Sequence, residues 1–313
     1  MMDWIYVGLG LVMLLLAGDS LVKGAVNLSL RLGVPALIVS LTIVAFGTSA
    51  PELLISIQAI WDGVPGLALG NVVGSNTANV LLVLGIPALL ATMHTSECDT
   101  RASYLQMIAA TGLFIALCFM GMLNWLSGII LLAALAAMLT HALLEAKRHR
   151  RANAEEEDVE GADPSLGWQK IILFLVLGMI GLPLGANLLV DGSTNIAREY
   201  GITETVIGLT LVAIGTSLPE LATTVMAALR KQADVALGNV IGSNMFNLLA
   251  IMGVASLVGD IPVARGFLTF DLWIMLGASL LLIPFVFFKR DITRIWGVIL
   301  SVGYVTYLVV VLT

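Results

Sequence analysis

Glu52 and Glu220 each follow a proline inside a long apolar run, in GTSAPELL (Gly47–Leu54) and GTSLPELA (Gly215–Ala222). Positions i and i+4 of a helix share a face, so Thr48 belongs over Glu52 with Ser49 at its flank. Thr216, Ser217 and Glu220 repeat that arrangement. Pro51 and Pro219 carry no N–H, so each leaves a carbonyl in the preceding turn without its helical partner. At membrane depth, bared carbonyls are tolerated only where protein or a wet cavity surrounds them. Each stretch thus offers a carboxylate, two hydroxyls and freed backbone oxygens together. That donor set suits a hard cation, since Ca²⁺ takes about 6–8 oxygen ligands.

A second polar set lies downstream. Asn71, Ser75 and Asn79 are spaced to form one stripe on a helix, and Asn239, Ser243 and Asn247 form its copy. Gly70, Gly74, Gly238 and Gly242 allow close helix approach, as small residues do in membrane bundles. Asn71 and Asn239 read as interhelical hydrogen-bonding residues, and Ser75, Asn79, Ser243 and Asn247 as ligands. A lone charge at the bilayer centre costs at least ~2.5 kcal/mol on insertion scales. Two carboxylates together repel further, and a proton or cation must compensate them. A glutamine would serve structure more cheaply, so Glu52 and Glu220 read as functional. Their joint charge of −2 matches one Ca²⁺ or two Na⁺. A third Na⁺ would leave the loaded site net positive.

The elements that hold these residues are membrane spans. The chain has 313 residues, 59% hydrophobic and 12% charged, with mean hydropathy +1.01. Soluble domains carry about 25% charged residues, and too few polar residues remain here to cover a soluble surface. Apolar runs long enough to cross about 30 Å of hydrocarbon recur throughout. They predict ten helices near 3–23, 35–60, 66–91, 102–121, 125–145, 169–190, 203–229, 234–258, 268–288 and 292–312. The first span reads as its own insertion signal, because the opening residues lack a basic start and a small-residue cleavage site. Cys98 and Cys118 have no metal-ligand spacing with His94, His141 or His149 and read as incidental.

With the N-terminus outside, every Lys and Arg except Arg198 and Arg265 falls in a cytoplasmic segment. The positive-inside rule therefore places both termini outside and the central loop inside. A shift of 168 residues superposes Leu37–Gly85 on Thr205–Gly253 without a gap, sharing LTxVAxGTSxPEL and ALGNVxGSNxxNxL. Each copy holds five spans, an odd number, so the second must enter from the opposite side. The expected architecture is an all-α polytopic membrane protein of ten helices in two inverted-topology repeats. Residues 1–146 form the first repeat, 147–168 a cytoplasmic loop and 169–313 the second repeat. Substrate sites in such folds lie near the midplane, where the repeats meet.

The doubled GTSxPE and GNxxGSNxxN motifs resemble the α-repeats of the cation/calcium antiporter superfamily, most closely its prokaryotic sodium/calcium exchanger branch. The resemblance covers nearly the whole chain. It implies that Glu52 and Glu220 are central carboxylates shared by calcium and sodium, with Thr48, Ser49, Thr216 and Ser217 supplying further oxygens. It implies outer sodium sites completed by the carbonyls of Ala45 and Ala213. Ser75, Asn79, Ser243 and Asn247 would line the middle. Entry of several sodium ions would drive one calcium out, by alternating access of a mobile bundle of helices 1 and 6 against a rigid core. The short central loop resembles that of bacterial or archaeal members, which places the chain in the cytoplasmic membrane. The expected partners are lipid and the transported ions, with no cofactor, no nucleic acid and no obligatory protein partner.

Asn247 departs from the relatives that carry Asp there, including potassium-dependent animal exchangers, which weakens any case for potassium. Proton/calcium exchangers of the superfamily favour GNxxE, whereas this chain has GNVVGSN and GNVIGSN. That favours Na⁺ over H⁺ as the coupling ion. A proton-coupled antiporter is the nearest rival. A cation channel is a more distant one, opposed by the inverted repeat with occluding helices. A membrane metalloprotease lacks support, because no HExxH occurs and the histidines lie near membrane ends.

Overall fold

Helices fill the chain because hydrocarbon offers backbone N–H and C=O groups no partner but each other. The computed structural model describes residues 2–152, 163, 165–201 and 213–312. Its helices are α1 (Met2–Leu32), α2 (Ala36–Thr48), α3 (Ala50–Trp61), α4 (Pro65–Leu90) and α5 (Arg101–Cys118). They continue as α6 (Trp125–Ala152), α7 (Trp168–Glu199), α8 (Leu218–Leu229), α9 (Ala233–Val258), α10 (Phe267–Phe287) and α11 (Arg294–Leu312). Among the described residues, eight helices are long and apolar enough to cross a membrane, or nine if α2 and α3, bent by 43° at their junction, count as one span. The span expected over 203–229 begins outside the described residues, and α8 is its latter part.

Several helices outrun the expected limits. α1 runs on to Leu32 and α7 to Glu199. The apolar runs end at polar residues such as Lys23 and Asp191, whereas the i→i−4 ladder continues past them, with Gly24–Ser29 of α1 buried in the protein. One small departure from an all-helical chain is a two-residue pairing of β1 (Met122–Leu123) with β2 (Ile261–Pro262), antiparallel.

α4 and α9, which occupy equivalent places in the two repeats, form the centre. Their most apolar stretches are 83% buried, against 17% for α11. The reason is composition: Gly, Ala, Ser and Asn give both helices a thin profile that neighbours can approach. A Cβ on Gly242 of α9 would lie 2.6 Å from the Ala45 Cβ and from the Leu41 carbonyl of α2. The Ser40 hydroxyl fastens the same interface by donating to the Val235 carbonyl at 2.7 Å.

α1 and α7 pack along one another at the periphery through small residues. Cβ atoms on Gly10, Gly181 and Gly178 would meet Gly185, Ala17 and Leu21 respectively. As residue numbers rise on α1, their contacts fall on α7, so the two helices run antiparallel. They are repeat mates by sequence, and they point in opposite directions. The outer faces of α1, α6, α7 and α11 expose leucine, isoleucine and valine to the surroundings.

Candidate ion-binding site

Proline decides the local geometry on both sides. Pro51 and Pro219 stand in the first turns of α3 and α8, positions where a missing N–H costs nothing. The preceding residues leave the helix in nearly the same conformation, Ser49 at φ −87°, ψ 4° and Ser217 at φ −88°, ψ 3°. Glu52 and Glu220 consequently fall in the first turn of a half-helix. Unpaired N–H groups there favour negative charge.

Both glutamates are buried, at 1% and 0% exposure. The halves also bond across the gap. Ser49 donates to Glu220 Oε1 at 3.1 Å. Thr48 Oγ1 lies 3.3 Å from Asn239 Oδ1 and 3.4 Å from Ser243 Oγ. It also lies 3.2 Å from the Ala45 carbonyl oxygen, which accepts from Ser49 N as well.

Polar atoms of the doubled motifs are left over. Glu52 Oε2, Glu220 Oε2, Ser217 Oγ, Asn79 Oδ1 and both amide atoms of Asn247 are buried without hydrogen-bond partners. Buried polar groups are ordinarily bonded, and an orphan costs about 1–3 kcal/mol. This cluster contains two carboxylate oxygens, a hydroxyl and two amide oxygens, all acceptors for a hard cation. Among the described residues no three His, Cys, Asp or Glu gather as a metal cluster. A cation here would meet two carboxylates and otherwise neutral oxygens.

The remaining expected residues are placed as follows. Ser75 and Ser243 are buried on α4 and α9, and Thr216 is half-buried at the break before α8. Ala213 opens the short turn Ala213–Gly215, and its side chain lies outside the described residues. Asn71 and Asn239 each clamp the glutamate of their own repeat. Asn71 donates to the Glu52 carbonyl at 3.3 Å and Ser56 Oγ at 3.2 Å. Asn239 donates to the Glu220 carbonyl at 3.3 Å and Thr224 Oγ1 at 3.1 Å. Ser56 and Thr224 escaped the motif reading, although both lie four residues after the glutamates and share the repeat offset.

The profile of the family described as Sodium/calcium exchanger protein matches residues 2–144 and 170–313. This chain belongs to the sodium/calcium exchanger family. Within the cation/calcium antiporter superfamily it falls in the prokaryotic branch. It is 36% identical to the sodium/calcium exchanger MaX1 of Methanosarcina acetivorans, over 96% of both chains. It is 35% identical to the putative antiporter CaxA of Alkalimonas amylolytica, over 97% of this chain and 96% of the other. Its fold superposes on the sodium–calcium exchanger NCX_Mj, soaked with zero Na⁺ and Ca²⁺, with a TM-score of 0.82. That match has 29% identity and covers 99% of this chain and 98% of the other. The exchanger family accounts for the multi-pass architecture, and the buried polar cluster lies at the family's doubled motifs.

Proposed function

We propose that the chain exchanges sodium for calcium across a bacterial or archaeal cytoplasmic membrane by alternating access, and extrudes calcium. The single observation that carries this reading is the pair Glu52 and Glu220. They come from equivalent breaks in two repeats, both are buried, and each keeps a carboxylate oxygen without a partner.

In this reading ten helices form two inverted repeats, residues 1–146 and 169–313, joined by a cytoplasmic loop at 147–168, with both termini external. The antiparallel course of α1 and α7 supports the inversion. One Ca²⁺ takes Glu52 and Glu220 as its charged ligands and draws its neutral ones, up to about 6–8 oxygens in all, from among Thr48, Thr216, Ser49, Ser217, Ser75, Ser243, Asn79 and Asn247. The same carboxylates serve Na⁺, with the Ala45 and Ala213 carbonyls completing outer sites. One Ca²⁺ balances a charge of −2, and three Na⁺ overbalance it by one. Moving that charge through the membrane couples exchange to voltage at about 2.3 kcal/mol per 100 mV. The α1/α7 pair is the moving bundle, because its smooth seam of small residues lies outside the tightly packed α4/α9 centre.

The test is ⁴⁵Ca uptake into sodium-loaded vesicles containing the purified protein. Uptake that requires the outward sodium gradient at fixed pH is the expected result. Uptake indifferent to sodium but driven by a pH gradient would assign the coupling to protons.

A further inference from the structure

An asparagine can serve a cation only by its oxygen, so something must hold its NH₂ group away. Asn79 Nδ2 donates to Asn244 Oδ1 at 3.0 Å, which leaves Asn79 Oδ1 as the buried, unpartnered atom. The orientation of Asn244 is itself fixed. Its Nδ2 donates to the Asn76 carbonyl at 3.4 Å, with Met107 Sδ at 3.8 Å. Asn76 reciprocates, donating to the Asn244 carbonyl at 3.3 Å, with Met275 Sδ at 3.7 Å. All four asparagines are 0–1% exposed, where the α4 and α9 helices cross.

The repeat offset maps Asn79 onto Asn247 and Asn244 onto Asn76. The mate of the Asn79–Asn244 bond would run from Asn247 Nδ2 to Asn76 Oδ1. That bond is not made, and its two atoms are both buried without partners. The helices diverge at this level. α9 widens into a π turn over Asn247–Ile251, whereas α4 loosens into turns over residues 82–84. Such π turns occur frequently at functional sites.

We propose that Asn76 and Asn244 are positioning residues that orient the two ligating amides. Backbone carbonyls fix the Asn76 and Asn244 side chains, and their Oδ1 atoms capture the NH₂ groups of Asn247 and Asn79. The oxygens of Asn79 and Asn247 are thereby aimed at the ion. The Asn79 side is set in the present conformation, and the Asn247 side closes when a cation draws its oxygen inward. This inference rests on the ion-binding reading of Asn79 and Asn247.

A carboxylate has no wrong way round, which supplies the test. In sodium-loaded proteoliposomes, Asn244→Leu is expected to raise the apparent KM for ⁴⁵Ca about tenfold, the scale of lost outer-shell support, with kcat little changed. In an Asn79→Asp background the same Asn244→Leu step is expected to change KM less than about twofold, by the same reasoning. Asn76→Leu, alone and in an Asn247→Asp background, forms the second arm. An equal rise in both backgrounds, or no rise in the single variants, overturns the proposal. So does failure of both leucine variants to elute as monodisperse protein, since the amides would then serve packing alone. Absence of sodium-dependent uptake by the unsubstituted protein would instead overturn the exchange reading, and this inference with it.

Discussion

Ser49, at the break between α2 and α3, donates its hydroxyl to the Glu220 carboxylate of the opposite repeat at 3.1 Å. The reciprocal hydroxyl, Ser217 Oγ, is buried without a partner. Two motifs with matching sequences therefore differ in how their serines are bonded. Hydrogen bonds to charged groups contribute about 1.5–3 kcal/mol. On that scale Ser49→Ala is expected to raise the calcium dissociation constant about tenfold, and Ser217→Ala distinctly less in this conformation. Isothermal titration of both variants in detergent with Ca²⁺ checks the ordering, and equal losses would count against the asymmetry.

Pro51 and Pro219 interrupt the ladder so that a carboxylate can begin a half-helix. Alanine would let the helix run through Ser49 or Ser217 and re-cover the carbonyls. Pro51→Ala is expected to leave the protein folded with a nearly unchanged melting temperature, since proline costs nothing in the first turn of a helix, while exchange turnover falls at least about tenfold as a continuous helix re-covers the carbonyls. Undiminished turnover would remove the break from the mechanism.

Gly242 lies where α9 meets α2, and the backbone there leaves no room for a methyl group. Overpacking costs about 1–3 kcal/mol. Gly242→Ala is expected to lower the melting temperature and to weaken ion binding, since it pushes on Ala45. The alanine at Gly112, where nothing lies within 4 Å, is the matched control with little effect.

Outside the spans, Asp291 ties the 94–97 loop to the entry of α11. Partial burial pushes its carboxyl up, but bonds from Ser96 and the neighbouring His94 outweigh that and hold it below the ordinary value. A carboxyl with a depressed folded-state value stabilises fully above its unfolded value of about 3.9 and loses that contribution as pH falls through the folded one. Asp291→Asn is expected to lower the melting temperature at pH 7, with the difference shrinking below about pH 4. A difference independent of pH would show that the charge is immaterial.

Glu52 and Glu220 were conspicuous in the sequence because a carboxylate in an apolar run is expensive and the same expense recurs 168 residues on. The break at each proline was equally legible, since a missing N–H acts locally. The pairing of Ser49 with Glu220 was not. A repeat offset identifies equivalent residues, and which residues meet depends on how two inverted copies dock. Asn244 stayed hidden for a related reason: its role lies in the orientation of another amide, which no spacing encodes. The extensions of α1 to Leu32 and of α7 to Glu199 were missed because the apolar runs end at polar residues such as Lys23 and Asp191, whereas the hydrogen-bond ladder continues past them. A two-residue strand pair such as Met122–Leu123 with Ile261–Pro262 is too short to leave a periodic signal.

The claim on which the account stands is that Glu52 and Glu220 hold the transported ion jointly. The most direct measurement is ⁴⁵Ca uptake driven by an outward sodium gradient in proteoliposomes bearing Glu52→Gln or Glu220→Gln. Each substitution preserves shape and removes one charge, so each alone is expected to abolish uptake while the protein still elutes as a monodisperse species. Uptake at near-normal rate by either folded variant would contradict a shared two-carboxylate site.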